Sequence, residues 1–77
     1  MLMSTATFIE ENKDKSYEEL IVIRDQLIDD IRYYETHADE NEEMMRFPSP
    51  RDVYLYNLEY LVGVCELISK IARTVSE

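Results

Sequence analysis

The sequence predicts an all-α protein: an antiparallel hairpin of two long helices preceded by a short N-terminal helix. Both prolines, Pro48 and Pro50, stand between two long segments in which apolar residues recur every three or four positions. The chain has one glycine, which leaves few positions for the tight turns of a β-rich fold. Its 77 residues allow one domain, so residues 1–77 are assigned to a single helical unit.

The first two helices are predicted from residues that cap helix N-termini. Thr7 and Glu10 form a weak capping pattern, which indicates a short leader helix over about residues 5–12. The S-x-x-E sequence that begins at Ser16 is a capping box, and four aliphatic residues follow it directly. We therefore expect a long middle helix over about residues 17–43.

The prolines separate this middle helix from the last one. Four acidic residues near its end oppose the helix dipole, so we expect the middle helix to end between residues 38 and 45. A Pro-containing loop is expected over about residues 46–49. Ser49 is a good N-cap and Pro50 suits a first helical position, so the last helix is predicted over about residues 50–75.

The last helix carries two rows of apolar residues with heptad spacing, and we call them the hairpin seam and the partner seam. The hairpin seam consists of Tyr54, Leu58, Leu61, Cys65, Ile68, Ala72 and Val75. The partner seam consists of Val53, Asn57, Tyr60, Val64, Leu67 and Ile71. Leu55, Tyr56 and Val62 add further apolar surface. A helix that is apolar around so much of its circumference belongs at the centre of a bundle.

The middle helix carries one such seam, which includes Arg24 among apolar residues. A hairpin needs one seam from each helix, so one seam of the last helix lacks a cover. The leader helix is too short to cover it fully, because a helix rises about 1.5 Å per residue. We expect a second copy of the chain to complete an antiparallel four-helix bundle, with a foreign helix or a leader-covered monomer as alternatives. Arg24 is a polar seam position that could fix the register of this bundle.

The net charge of −9 narrows the choice of partners. A net charge of −8 comes from residues 16–45, and we assign the acidic face of the middle helix to Glu18, Asp25, Asp29, Glu40 and Glu43. Nucleic acids and anionic membranes would be repelled, whereas a basic protein partner would be attracted. No apolar run approaches the length of a membrane span, and we expect a cytoplasmic protein.

Few side chains suggest catalysis. His37 is the single histidine and Cys65 the single cysteine, so we expect no metal site and no cofactor. Cys65 is expected to be a small buried apolar residue, because it lies within the hairpin seam. Aromatic and methionine residues near the loop end form a candidate partner patch, made of Tyr33, Tyr54, Tyr56, Met44, Met45 and Phe47.

Three classes of function are compatible with these patterns. The first is a non-enzymatic protein–protein interaction or oligomerisation module. The second is an acidic inhibitor or decoy, like an immunity protein or antitoxin, that covers a basic site on a toxin or a nucleic-acid-binding protein. The third is a small dimeric helical enzyme of the mutase type, which is disfavoured because such sites need several inward basic side chains and only Arg24 lies on a seam. The caps and seams indicate a fold and are not the fingerprint of a family.

Overall fold

Three helices make up the part of the chain that the structure describes. The structure is a computed structural model, and it describes residues 3–37 and 49–76. Helix α1 spans Thr5–Asn12, helix α2 spans Tyr17–Thr36 and helix α3 spans Pro50–Ser76. The prediction of an all-helical protein with a short first helix and two long ones is confirmed over these residues.

Serine side chains cap all three helices at their N-termini. At α2, the Ser16 hydroxyl accepts a hydrogen bond from the backbone N–H of Glu19, and the Glu19 carboxylate accepts one from the backbone N–H of Ser16. This is the predicted capping box. Ser49 accepts a hydrogen bond from the backbone N–H of Asp52 at the start of α3. Helix α1 is capped by Ser4, one turn before the Thr7 position that the sequence favoured.

Helix α2 ends at Thr36, with His37 as its C-cap residue. The backbone N–H of His37 donates to the carbonyl oxygens of Tyr33 and Tyr34, and this bifurcated bond closes the last turn. The sequence predicted an end between residues 38 and 45, and that range lies outside the described residues. The same holds for residues 46–48 of the predicted loop.

Helices α2 and α3 pack side by side as an antiparallel pair. The ring of Tyr34 in the last turn of α2 stacks on Tyr54 in the second turn of α3, with 4.5 Å between the ring centroids. Further along, the buried side chains of both helices form one cluster, made of Leu20, Leu27, Tyr60, Val64 and Leu67. Leu20 and Val64 are fully buried. Burial of each such side chain stabilises the pair by about 1.5–3 kcal/mol.

Helix α1 packs on α3 and runs in the same general direction. Its start lies near Tyr60, whose hydroxyl donates to the backbone carbonyl of Met3. One and a half turns later, Ile9 lies against Gly63. Helix α3 is therefore the central element, with α2 along one side and α1 across another.

Candidate partner-binding surface

The face of α3 that carries Tyr60 and Gly63 is covered by α1. The ring of Phe8 stacks on the ring of Tyr60, with 4.2 Å between the centroids. A Cβ atom at Gly63 would lie 2.8 Å from Cγ1 of Ile9, which is closer than non-bonded carbon atoms approach. The absence of a side chain at Gly63 is therefore what lets α1 lie so close to α3.

Polar contacts complete the attachment of α1. The hydroxyl of Thr5 donates a 2.8 Å hydrogen bond to Oε2 of Glu59. Tyr60 is buried beneath α1, and this burial raises the pKa of its phenol. At the other end of α1, the buried side chain of Asn12 donates from Nδ2 to the carbonyl oxygen of Phe8 at 2.7 Å. The bond of Thr5 therefore attaches the start of α1 to α3, whereas the bond of Asn12 lies within α1 and satisfies a buried amide.

This arrangement changes the role of the partner seam. Tyr60, Val64 and Leu67 were assigned to a partner chain, and all three are buried within the single chain by α1 and α2. The remaining members of that seam, Val53, Asn57 and Ile71, are half-buried. The sequence predicted that the leader helix is too short to cover this seam fully, with a leader-covered monomer as an alternative. In the structure, Phe8 and Ile9 pack over the middle of the seam, so its buried residues are not accessible to a second chain.

A further row on α3 has four exposed side chains, and we call it the outer stripe. It consists of Leu55, Leu58, Val62, Cys65, Ser69 and Ala72, with the 3,4,3,4,3 spacing of a heptad seam. Leu58 and Ser69 are half-buried, and Leu58, Cys65 and Ala72 also belong to the hairpin seam. Leu55 is 47% exposed and Val62 is 60% exposed. Because each helical residue advances about 100°, Cys65 lies about 200° around α3 from Gly63, on nearly the opposite side from α1.

The position of Cys65 corrects another expectation from the sequence. Cys65 was expected to be buried within the hairpin seam, and its side chain is exposed. Ala72 of the same seam is also exposed. The physical reason is that α2 packs closer to Val64 and Leu67 than the sequence alone indicated, so the hairpin seam lies at the edge of the helix pair. Leu61 and Ile68 still pack partly against the core.

Helix α2 carries two half-buried isoleucines, Ile21 and Ile28. Arg24 lies between them. Its Nε and Nη2 atoms donate to Oδ1 of Asp25 at 3.1 and 2.9 Å. The long arginine side chain thus extends along the edge of α2 and pairs with its neighbour in the sequence.

The ion pair of Arg24 with Asp25 contributes little to stability, because both side chains are substantially exposed. The proposed role of Arg24 in fixing the register of an oligomer has no test in a single chain, and it stays a prediction.

The predicted tyrosine patch is divided between two environments. Tyr54 donates a 2.8 Å hydrogen bond to Oε2 of Glu35, and this bond raises the pKa of its phenol. Tyr33 is 60% exposed and its ring stacks on the imidazole of His37. Tyr56 lies beside the buried Tyr60. Three further members of the patch, Met44, Met45 and Phe47, lie outside the described residues.

The acidic face is solvent-exposed where the structure describes it. Glu18, Asp25 and Asp29 are exposed, whereas Glu40 and Glu43 lie outside the described residues. Across residues 3–37 and 49–76, no three His, Cys, Asp or Glu side chains are grouped so that they could hold a metal ion. None of the described helices is both long and apolar enough to cross a membrane.

The outer stripe is the feature that sequence reasoning underestimated. Leu55 and Val62 were noted as additional apolar residues, without a role. Their spacing relative to Leu58, Cys65 and Ala72 was the available signal. The sequence could not show which of three apolar rows on α3 the chain itself would cover.

Comparison of the chain with models of protein families, with curated proteins and with solved structures finds no match in any of the three.

Proposed function

We propose that the chain is a non-enzymatic protein–protein interaction and oligomerisation module that binds through the outer stripe. One observation carries the proposal: Leu55, Val62 and Cys65 lie exposed in a heptad row on the part of α3 that neither α1 nor α2 covers. Each large apolar side chain left in water forgoes about 1.5–3 kcal/mol of burial free energy. Contiguous exposed apolar surface of this kind is typical of protein interaction sites.

The titratable groups give independent support for a non-enzymatic role. Among the described residues, four side chains have clearly shifted pKa values: Lys13 and Glu19 in exposed local bonds, Tyr54 at the loop end and Tyr60 beneath α1. They lie in separate parts of the molecule. Catalytic groups with perturbed pKa values typically converge on one site, and these four perturbations each have a local structural cause.

The oligomer that we propose is the four-helix bundle dimer expected from the sequence, with its interface moved. The partner seam is occupied by the chain's own helices, so the two copies would meet along the outer stripe. The acidic α2 helices then lie toward the outside of the bundle, where their charges stay solvated.

A second candidate function is the acidic decoy. Helix α2 exposes six carboxylates, and these support binding to a basic protein surface: Glu18, Glu19, Asp25, Asp29, Asp30 and Glu35. Binding through these charges weakens steeply as salt rises, because exposed charges are screened within about 8 Å at physiological ionic strength. Binding through the apolar outer stripe changes little with salt, so the two candidates differ in a simple measurement.

The test is site-specific photo-crosslinking in cells that naturally express the protein. A benzophenone amino acid at Val62 should give a crosslinked product of one defined mass. The same amino acid at Val22 is the matched control, because Val22 is a 67% exposed valine on the other long helix. Equal crosslinking at both positions, or none at Val62, would contradict the proposed binding surface.

A further inference from the structure

We infer that the outer stripe binds the outer stripe of a second copy of this chain, in an antiparallel arrangement around a two-fold axis. This inference rests on the proposed function, and it adds the orientation and the register of the two copies. In a two-fold interface the same surface is used by both copies, so the stripe must be complementary to itself.

The size of the side chains along the stripe provides that complementarity. The first half carries large residues, Leu55, Leu58 and Val62, and the second half carries small ones, Cys65, Ser69 and Ala72. When the partner's α3 runs antiparallel and the axis passes between Val62 and Cys65, every large residue meets a small one.

The three pairs are Leu55 with Ala72, Leu58 with Ser69, and Val62 with Cys65, each formed twice. Large residues opposite small ones interdigitate without voids. A parallel arrangement would instead place Leu55 against Leu55 and Ala72 against Ala72. The antiparallel arrangement therefore fits the stripe at every layer, and the parallel one does not.

The face that carries the stripe approaches the size of a stable dimer interface. Helix α3 has 27 residues and is about 40 Å long, and α2 beside it has 20 residues and is about 30 Å long. With about 10 Å of width for each helix, this face offers up to about 700 Å² per copy. Standard stable interfaces bury about 800 Å² on each partner. A second copy also matches α3 in length along the whole stripe.

The polar groups along the stripe can be accommodated. The hydroxyl of Ser69 already accepts hydrogen bonds from Nε and Nη2 of Arg73, at 3.3 and 3.0 Å, so its lone pairs are used within α3. The antiparallel register brings Arg73 near Asp52 of the other copy, which is attractive. It also brings Glu59 near Glu66 of the other copy, which is repulsive.

The first measurement is the solution mass by light scattering, over 10–500 µM protein. The wild-type chain should have twice the 9.2 kDa mass of one chain. Val62→Lys places a charge at the centre of the interface twice, and it should weaken dimerisation by at least about 100-fold. Leu55→Lys should act in the same direction, and Val22→Lys should leave the mass unchanged.

Circular dichroism keeps this comparison interpretable, because each variant must keep the helical spectrum of the wild type. The substituted side chains are exposed in the single chain, so folding should survive. A wild-type mass of one chain throughout the concentration range overturns the inference. Loss of the dimer in Val22→Lys as well as in Val62→Lys also overturns it.

The repulsion between Glu59 and Glu66 of the other copy allows a test in which a substitution strengthens the dimer. Glu66→Lys converts both contacts between Glu59 and Glu66 into attractions, and it should tighten the dimer about threefold to tenfold at low salt. Glu11→Lys on α1 makes the same change in net charge away from the stripe, and it is the matched control. Equal tightening by both variants would mean that net charge alone is responsible, and the antiparallel register would be wrong.

Disulfide formation tests the orientation directly. Leu55→Cys with Ala72→Cys, in a Cys65→Ser background, should form crosslinks between position 55 of one copy and position 72 of the other under oxidised glutathione. Leu55→Cys alone in that background should form none, because a disulfide needs Cα atoms about 4.4–6.8 Å apart. Peptide mapping that finds a 55-to-55 link indicates a parallel dimer and refutes the antiparallel one.

The two proposals fail in distinguishable ways. If the chain is a dimer that crosslinks to itself through Val62 but peptide mapping finds a 55-to-55 link, the proposed function stands and the antiparallel inference is wrong. If photo-crosslinking at Val62 captures a different protein and the chain is monomeric, the dimer and its arrangement are both wrong. If nothing is captured at Val62 and the chain is monomeric, both are wrong.

Discussion

The contact between Gly63 and Ile9 makes a sharp prediction, because two opposite effects act on one substitution. Glycine inside a helix is less favourable than alanine by about 0.8–1.0 kcal/mol. Gly63→Ala would gain that amount if space allowed. The added Cβ would lie 2.8 and 2.9 Å from Cγ1 and Cδ1 of Ile9, so the α1 side chain must shift. Overpacking of this kind costs about 1–3 kcal/mol.

The balance is a net destabilisation of about 1 kcal/mol by Gly63→Ala when Ile9 is present. In an Ile9→Ala background the clash is gone, and the same substitution should stabilise the protein by about 1 kcal/mol. The change of sign between the two backgrounds is the signature of α1 docking. For a domain of this size, 1 kcal/mol corresponds to about 4–8 °C in melting temperature.

Urea unfolding followed by circular dichroism measures both effects, and all four proteins of the cycle must be compared at one protein concentration. Equal stabilisation by Gly63→Ala in both backgrounds would refute the reasoning, because it would show that Ile9 does not rest on Gly63. Destabilisation in both backgrounds would place some other group against Gly63.

Four further outcomes are expected for stability and titration. Leu20→Ala should cost about 2–5 kcal/mol in urea unfolding, because Leu20 is fully buried and the cavity would not collapse. Ser16→Ala should cost about 1 kcal/mol through loss of the α2 cap. The hydrogen bond from the backbone N–H of Ser16 is the main cause that lowers the pKa of Glu19. Its contribution is present above the ordinary glutamate pKa and is lost as pH falls through the lowered value. Glu19→Gln removes the titrating carboxylate and should flatten that acidic loss, whereas an unchanged pH profile would count against the capping box. The hydrogen bond to Glu35 raises the pKa of Tyr54. This bond therefore stabilises the folded protein at pH values below the ordinary tyrosine pKa, and its contribution is lost as pH rises through the raised pKa. Glu35→Gln should therefore move the Tyr54 titration, followed by NMR of labelled tyrosine, toward lower pH.

The elements that depend on local chemistry were predictable from the sequence. The capping box at Ser16 and the N-cap at Ser49 depend on residues three positions apart, and both are present as expected. The short first helix lies where it was predicted, although Ser4 rather than Thr7 supplies its cap. Capping hydrogen bonds form between residues of the same helical turn, so the sequence alone is enough to predict where these helices begin.

The choice among the apolar rows of α3 was not predictable in the same way. All three rows have heptad spacing, and the spacing alone does not say which neighbour takes which row. Gly63 determines where α1 packs, because the missing side chain lets α1 lie next to Tyr60 and cover the middle of the partner seam. The exposure of Cys65 has a separate cause, because α2 packs against Val64 and Leu67 and leaves Cys65 at the edge of the helix pair. Tertiary contacts between distant residues therefore determine the free surface.

The attachment of α1 also has a consequence for synthesis of the chain on the ribosome. Thr5 lies 54 residues before Glu59, whereas Glu35 lies only 19 residues before its partner Tyr54. Helix α1 leaves the ribosome long before its docking site exists, and eight residues are too few for a stable helix in water. The helical structure of α1 therefore becomes stable only after α3 has been translated past Gly63, the residue on which Ile9 rests.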